Sequence, residues 1–297
     1  MTRIPDPAEP VPSISLPAVG LLVGGLALWW GSTLAYINGL WPWPLSTALN
    51  ALASYLLFTV AHDASHHSLS TSGAVNTWMG RVSTAFFAPH AGFRTWRFIH
   101  MQHHRFTNAS DGSDPDDYTN RGPHWQAPLR WLTIDLWYML FYLPRVRTRP
   151  RGERIELLAT WIVIFGASVA AILTGHLFGL IVLYYLPVRL SILFLGFAFD
   201  YLPHHGLHDT PSEDRFQTTR NRVGHERLLS PALLYQNYHL VHHLHPLVPF
   251  HRYLVVWLRN EESYLARGPA LSSVGGRPIT VDEYRALNEL HRPHHPG

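Results

Sequence analysis

The sequence predicts an all-α integral membrane protein, with four transmembrane helices arranged as two hairpins and a cytoplasmic helical cap. Composition supports this prediction, because hydrophobic residues make up 47% of the 297 residues and charged residues only 14%. The distribution supports it further, since the apolar residues are concentrated in four long blocks. Most charged residues lie between and after these blocks, as expected for segments outside a bilayer.

Each apolar block is close to the length that a membrane-spanning helix requires, which is roughly 20 residues. The blocks are 18–38, 45–62, 157–175 and 177–200. Only a few residues separate the first block from the second, and the third from the fourth, so each pair is expected to form a tight helical hairpin. The stretch 130–145 is shorter and interrupted by charge, and it predicts an amphipathic helix at the membrane surface.

Arginine placement predicts the orientation. The two short links contain no Arg, whereas the segment between the second and third blocks is rich in it. Because positive charge favours the cytoplasmic side, this segment and both termini are expected to be cytoplasmic, in a bacterial-type inner membrane. The predicted organisation is a disordered Pro-rich tail over 1–14, a membrane domain over 15–255 and a cytoplasmic tail over 256–297. Arg189, inside the fourth block, is expected to have a structural or functional partner.

Histidine clusters are the most informative motifs. They lie at 62–67, 100–104 and 239–243, and the predicted topology puts all three on the cytoplasmic side. Within a cluster the histidines recur three or four residues apart, a spacing that places them on one face of a helix. Pro203 is expected to end the fourth span, so that His204 emerges level with the clusters. The candidate metal ligands are His62, His66, His100, His103, His104, His204, His239, His242 and His243.

Imidazole clusters of this size predict a metal site, because neutral imidazole binds Fe, Zn, Cu and Ni. One zinc ion takes four ligands, so about nine imidazoles are too many for one ion and suit two. The sequence has no Cys, which excludes a disulfide framework, a zinc–thiolate site, an iron–sulfur cluster and a thiolate-ligated haem. It also lacks an HExxH motif and a Ser-centred nucleophile elbow. Two redox-active metal ions are the best interpretation.

The motifs HDASHH, HMQHHRFTN with a following DPDD, FDYLPH and QNYHLVHHL resemble those of the membrane fatty-acid desaturase superfamily, across roughly residues 55–255. FDYLPH and QNYHLVHHL are most similar to bacterial β-carotene 3-hydroxylases. The resemblance implies a non-haem di-iron centre that uses O2 to attack an unactivated C–H bond of a lipid, with the nine histidines named above as iron ligands. It also implies that Asn237, just before the third cluster, contacts the metal site through water.

Carboxylates near the clusters are expected to accept the second N–H of metal-bound histidines. The candidates are Asp63, Asp114, Asp116 and Asp200. Asp63 directly follows the first ligand, and we expect it to act with Asn237 in support of catalysis.

The expected function is hydroxylation of β-carotene towards zeaxanthin, and the alternative is desaturation or hydroxylation of a fatty-acyl chain by the same centre. A histidine-rich metal transporter is a distant third, because transporters place their ligands near the middle of the membrane. The sequence has no Cys, flavin fingerprint or haem motif, so a separate donor of the ferredoxin or reductase type is expected to dock on the cytoplasmic face. The lipid or carotenoid is expected to enter from the bilayer, and no nucleic-acid partner is expected.

Overall fold

The computed structural model describes residues 4–291, with side chains described through Leu287. Residues 1–3 and 292–297, which belong to the two predicted tails, lie outside the described residues. The helices are α1 Leu16–Ile37, α2 Trp43–Ser65, α3 Gly73–Thr84, α4 Gly92–Phe106, α5 Ala127–Tyr142, α6 Arg151–Leu173, α7 Leu177–His204, α8 Glu226–Ala232, α9 His239–Leu244, α10 Tyr253–Leu265 and α11 Val281–His291. Short 3-10 turns lie at Asp116–Thr119, His124–Gln126, Leu143–Thr148 and Phe250–Arg252.

Three two-residue strands form a small sheet in the C-terminal part of the chain. β1 (Asn221–Arg222) pairs in parallel with β2 (Leu271–Ser272), and β2 pairs antiparallel with β3 (Pro278–Ile279). The Cα partners are Asn221 with Leu271, Arg222 with Ser272, Leu271 with Ile279 and Ser272 with Pro278. The sheet therefore joins the segment after α10 to the segment before α8.

Four helices of the described chain, α1, α2, α6 and α7, are long and apolar enough to cross a membrane. The four apolar blocks of the sequence fall on these helices. In α6 only 6% of the most apolar window is buried within the protein, and side chains such as Phe165 and Leu173 are 72% and 80% exposed. Apolar surface of this extent requires a lipid environment. The protein is therefore an integral membrane protein, whereas the hairpin arrangement, the cytoplasmic cap and the orientation stay predictions.

α2 lies at the centre of the helical part and positions the first histidine cluster. It packs along α1, where the backbone approaches so closely that a Cβ on Gly25 would lie 2.9 Å from Cγ of Leu57. Small residues allow such close packing of membrane helices. The side-chain amide of Asn50 donates to the carbonyl oxygen of Leu183 in α7 at 2.8 Å. α1 and α7 thus hold α2 from both sides. The last turn of α2 buries His62 at the edge of the apolar region.

The end of α7 differs from the prediction at Pro203. The helical backbone continues through Pro203 to His204 and becomes extended only at His205. Wide, π-type turns over Gly196–Tyr201 directly precede this proline. In a regular helix the proline ring clashes with the carbonyl four residues earlier, and the wide turns accommodate the ring. His204 is nevertheless the last helical residue, so it still emerges at the end of the span.

α5 covers most of the stretch that was predicted to form a surface helix. It exposes Leu129 and Leu140, which are 62% and 64% exposed, and buries Ile134 against the rest of the protein. α5 crosses α7 in close contact, because a Cβ on Gly196 would lie only 2.9 Å from Cα of Trp131. Its position at a membrane surface stays a prediction.

Arg189 in α7 has the partner that its place in an apolar helix requires. Its guanidinium donates to both carboxylate oxygens of Asp135 in α5, at 2.7 and 2.9 Å, and to the carbonyl oxygen of Leu132 at 2.7 Å. The Asp135 side chain is only 7% exposed. Bidentate arginine–carboxylate pairs are among the stronger polar contacts in proteins, so this pair joins α5 firmly to α7.

The two ends of the described chain are packed, in contrast to the predicted tails. Residues 4–14, expected to be disordered, reach α10 and the turn before it, where Glu9 pairs with Arg259 and Arg252 at 2.8 Å each. The hydrogen bond from Arg252 is the largest cause of a lowered pKa for Glu9. α10 crosses the predicted boundary at 255 and buries Trp257 completely. Composition did not reveal these contacts because their partners are distant in the sequence.

Replacement Arg189→Met is expected to destabilise the protein, because it leaves the buried carboxylate of Asp135 without a counter-charge. Breaking a buried pair in this way costs about 3 kcal/mol. Thermal unfolding in detergent, followed by tryptophan fluorescence, should show a midpoint lower by several degrees. The double variant Asp135→Asn with Arg189→Met should recover part of the loss, since it leaves no unpaired charge. An unchanged midpoint for Arg189→Met would contradict the role assigned to the pair.

Candidate metal centre

All nine histidines that were predicted to be ligands come together, and they do so in two groups. Within each group, one ring nitrogen of every member lies within 4.8 Å of those of the others. The larger group consists of His62, His66, His100, His104 and His242. The smaller group consists of His103, His204, His239 and His243. Five and four imidazoles suit two separate metal ions better than one.

Helical geometry explains how three sequence clusters produce two groups. On α4, His100 and His104 are four residues apart, share a face and join the two histidines of α2. His103 lies between them on the helix and contributes to the smaller group. The histidines of α9 divide in the same way. His242 belongs to the larger group, whereas His239 and His243 belong to the smaller one. The last residue of α7, His204, completes the smaller group.

Ring nitrogens face one another inside both groups. In the larger group, Nε2 of His66 lies 2.8 Å from Nε2 of His100. In the smaller group, Nε2 of His243 lies 3.2 Å from Nε2 of His239. A neutral imidazole carries a hydrogen on only one of its two nitrogens, and the other nitrogen has a lone pair. A cation between the facing nitrogens would accept such lone pairs and so stabilise both rings. Converging nitrogens of this kind fit a bound metal ion.

Two buried nitrogens support the same conclusion. Nε2 of His62, in the larger group, and Nε2 of His204, in the smaller group, have no hydrogen-bond partner within the described part of the chain. Burying a polar atom without a partner is costly. Each group thus holds at least one buried nitrogen that a metal ion would satisfy, so the residues fit the metal pair that the motifs predict.

Burial prepares the ligands for metal binding. Burial is the main cause, and neighbouring imidazoles a smaller one, of a pKa well below the usual range for six of the ligands. These are His66, His100, His104, His239, His242 and His243. Neutral imidazole is the form that binds metal ions. The surroundings of these six histidines therefore favour the ligating form at neutral pH.

His103 differs from the other ligands because two carboxylates face it. Its Nδ1 lies 2.9 Å from Oδ1 of Asp114 and 3.4 Å from Oδ2 of Asp116. Burial lowers the pKa of His103, but the carboxylates of Asp116 and Asp114 more than offset burial and raise the pKa to about 9. When the ring is neutral, the carboxylates favour the hydrogen on Nδ1, so that Nε2 carries the lone pair that a metal ion would bind. Carboxylate partners of this kind orient metal-bound histidines and make them more basic.

Other ligands are fixed through their outer nitrogen by groups from distant parts of the chain. The Tyr253 hydroxyl of α10 lies 2.8 Å from Nδ1 of His242. Nδ1 of His204 lies 3.1 Å from the carbonyl oxygen of Thr218 and can donate to it. These contacts set the direction in which each ring presents its inner nitrogen.

Asp63 is buried beside the first ligand and also holds a distant segment. Its Oδ1 lies 3.4 Å from Nδ1 of His62, which is longer than a good hydrogen bond. Its Oδ2 accepts a hydrogen bond from the backbone N–H of Phe250 at 2.9 Å. Asp63 therefore joins the end of α2 to the segment after the third cluster, and its predicted support of catalysis stays a prediction.

Asn237 is buried two residues before His239. Its side-chain amide donates to the carbonyl oxygen of Arg222 at 3.1 Å. The other atom of the amide, Oδ1, is buried and has no hydrogen-bond partner among the described residues. That oxygen is available to a water molecule, and the predicted contact with the metal site stays a prediction.

Sequence reasoning missed two residues that contact the ligands. Tyr253 lies eleven residues after His242, too far along the chain for helical spacing to relate them. Trp96 stacks on His100, with ring planes 8° apart and centroids 5.1 Å apart. This second contact was readable from the sequence, because Trp96 is four residues before His100 on α4 and therefore shares its face.

A cavity adjoins both histidine groups. It lies between α2, α4, α5 and α7. Ligands from both groups line it, namely His62, His100, His103 and His239. Most of the remaining wall is apolar, formed by Phe58, Phe87, Ala88, Trp96, Ile134, Ile192, Leu195, Gly196 and Phe199. An apolar molecule in this cavity therefore lies directly beside the metal centre.

The fold and the site together define an integral membrane protein that holds a histidine-rich metal centre beside an apolar cavity. Residues 38–274, well over half of the chain, match the family model described as fatty acid desaturase. The chain belongs to the fatty acid desaturase family, as its motifs predict, and it is an oxidoreductase of a family that acts on lipids. This membership replaces the metal-transporter alternative.

Named relatives are of two kinds. The β-carotene ketolase of a Paracoccus species is 30% identical over 260 residues, which cover 82% of this chain and 95% of the relative. The sn-1 acyl-lipid omega-3 desaturase (ferredoxin) of a Synechocystis species is 34% identical over 94 residues, 31% of this chain and 24% of the relative. The dihydrorhizobitoxine desaturase of Bradyrhizobium elkanii is 26% identical over 236 residues, 71% of this chain and 65% of the relative.

Replacement Tyr253→Phe is expected to weaken metal binding, because it removes the hydroxyl that fixes His242 and leaves the ring in place. Loss of such an outer contact typically lowers metal affinity by about 10-fold or more. Affinity for Fe²⁺ can be measured by competition with a chelator. Tyr264→Phe is the matched control, since the Tyr264 hydroxyl lies 2.7 Å from His245, which is in neither group. Equal affinities for the two variants would contradict the role of Tyr253.

Proposed function

We propose that this protein is a non-haem di-iron enzyme that uses O2 to oxidise a C–H bond of a long apolar lipid, with a cyclic carotenoid as the favoured substrate. The observation that carries this proposal is the cavity, which has histidines of both groups in one wall and apolar side chains in most of the others. Two of the helices that build it, α2 and α7, are candidate membrane spans, so a lipid can enter from the bilayer.

The ligand set supports iron. Nine imidazoles with neighbouring carboxylates and no thiolate suit a redox metal of intermediate softness. Bound iron would supply the activation of O2. In this proposal Asp114 and Asp116 keep the proton of His103 on Nδ1, Tyr253 orients His242, and the apolar cavity wall excludes water from the oxidised carbon. Asn237 would contact the metal pair through a water molecule.

A cyclic carotenoid is the favoured substrate for two reasons. A relative named as a β-carotene ketolase matches most of this chain over nearly its own full length. Aromatic side chains, including Phe58, Phe87, Trp96 and Phe199, form much of the cavity wall and suit a flat conjugated molecule. The motifs FDYLPH and QNYHLVHHL favour hydroxylation at ring position 3, towards zeaxanthin. Formation of a ring ketone is the closest related outcome.

Oxidation of an acyl chain is the second candidate. It is favoured by the similarity to acyl-lipid desaturases over about a third of this chain, and to proteins named as fatty acid desaturases over 76% and 80% of it. An acyl chain is narrower than a carotenoid ring, so the two candidates differ in the width that they require beside the metal centre.

The proposal also requires an external source of electrons. The chain has no Cys to hold an iron–sulfur cluster. One of its relatives is named as a ferredoxin-type desaturase. We therefore propose a ferredoxin or reductase as the donor, docking on a cytoplasmic metal-containing face.

Expression in cells that accumulate β-carotene is expected to yield more polar, oxygenated carotenoids. His103→Ala should reduce these products to background, because it removes a ligand of the smaller group. His176→Ala is the matched control, since His176 is exposed in the short link between α6 and α7. Chromatography with mass detection measures the products and distinguishes an added hydroxyl group from a ketone.

The same cells should be analysed for fatty acids, with a known carotenoid hydroxylase expressed in parallel to verify electron supply. Unchanged pigments with new unsaturated or hydroxylated acyl chains would replace the carotenoid by an acyl substrate. No product of either kind, with the parallel enzyme active, would contradict both substrate assignments.

A further inference from the structure

A polar cluster lies in the wall of the apolar cavity, away from the metal ligands. It consists of His90, in the loop before α4, and Asp135 in α5, both of which line the cavity. Nδ1 of His90 lies 3.6 Å from Oδ2 of Asp135. Arg189, which pairs with both oxygens of the Asp135 carboxylate, holds this group in position. None of these residues belongs to either histidine group.

His90 presents one unused hydrogen-bonding atom. Its Nε2 is buried and has no hydrogen-bond partner among the described residues. Burial, which outweighs the opposing effect of Asp135, lowers the pKa of His90 below its usual range, so the ring is neutral at pH 7. The negative carboxylate beside Nδ1 favours the hydrogen on that nitrogen, which leaves a lone pair on Nε2. Nε2 is therefore an acceptor, and it requires a donor such as O–H.

The position of this acceptor along the cavity can be judged from α7. Asp200, at the end near His103, and Ile192, near the level of Arg189, both line the cavity. Eight residues of helix separate them, which corresponds to a distance on the order of 12 Å. The polar cluster thus lies at the opposite end of the cavity from the metal centre, and the wall between the two ends is mostly apolar.

We propose that His90 binds a hydroxyl group of the substrate, at the end of the cavity away from the metal centre. The inference rests on the proposed function, and within its class of long apolar lipids it favours those that already carry an alcohol group. The O–H donates to Nε2 of His90, while Asp135 and Arg189 act as positioning residues that fix the ring. This contact sets which carbon of the chain lies beside the metal centre.

Binding of matched ligand pairs tests the inference without turnover. The probes are retinol with its deoxygenated hydrocarbon, and hexadecan-1-ol with hexadecane, each measured with the iron-loaded protein by native mass spectrometry. The wild type is expected to bind at least one alcohol about three- to tenfold more tightly than its hydrocarbon partner, the effect of one buried hydrogen bond. His90→Leu should abolish this preference without weakening hydrocarbon binding, whereas His90→Gln, which keeps an acceptor, should retain part of it.

Partition into detergent is the same for every variant, so the change in preference between variants measures the His90 contact alone. His90→Met is a second apolar replacement in case the leucine variant unfolds, and His176→Leu is the control outside the cavity. A wild type without preference for either alcohol, or a preference that survives in both apolar variants, would overturn the inference. Binding preference and product formation are separate readouts. Oxidised products without a preference for the alcohols would contradict this inference but not the proposed function. A preference for the alcohols without oxidised products would contradict the proposed function but not the presence of a hydroxyl-binding site.

Discussion

The arrangement on which the rest of the structure depends is a set of nine buried histidines whose ring nitrogens converge in two groups. Buried imidazoles are costly unless both nitrogens have partners. The inner nitrogens can share metal ions, and several outer nitrogens are matched by groups such as Asp114, Tyr253 and the Thr218 carbonyl. Metal ions that bind only the folded chain would add to its stability, so folding and metal loading are expected to be coupled.

The apolar helices and the segments between them contribute differently to the site. Most ligands come from α4 and α9, which are too short or too polar to be membrane spans, whereas α2 and α7 each supply ligands only near one end. The main contribution of α2 and α7, with α5, is the wall of the cavity. A centre that would generate a strong oxidant is thus placed where apolar helices end, and a lipid can reach it without crossing water.

A polar pair links α7 to α5 beside the cavity. The pair of Arg189 and Asp135 stabilises the crossing of α7 with α5 and also places a carboxylate beside His90 at the cavity wall. Residues at that end of the cavity do not contact the metal centre. In our proposal they determine which carbon is presented for oxidation.

The sequence by itself determined the four apolar helices, the nine histidines that come together and the family, because these depend on helical spacing and on segment length, which are local. Only the tertiary structure decided that His103 separates from His100 and His104 into a second group, that Asp135 is the partner of Arg189, and that the residues around Glu9 pack against α10. Each of these contacts joins segments that are distant in the sequence, and their pairing is set by how the helices cross rather than by any local pattern.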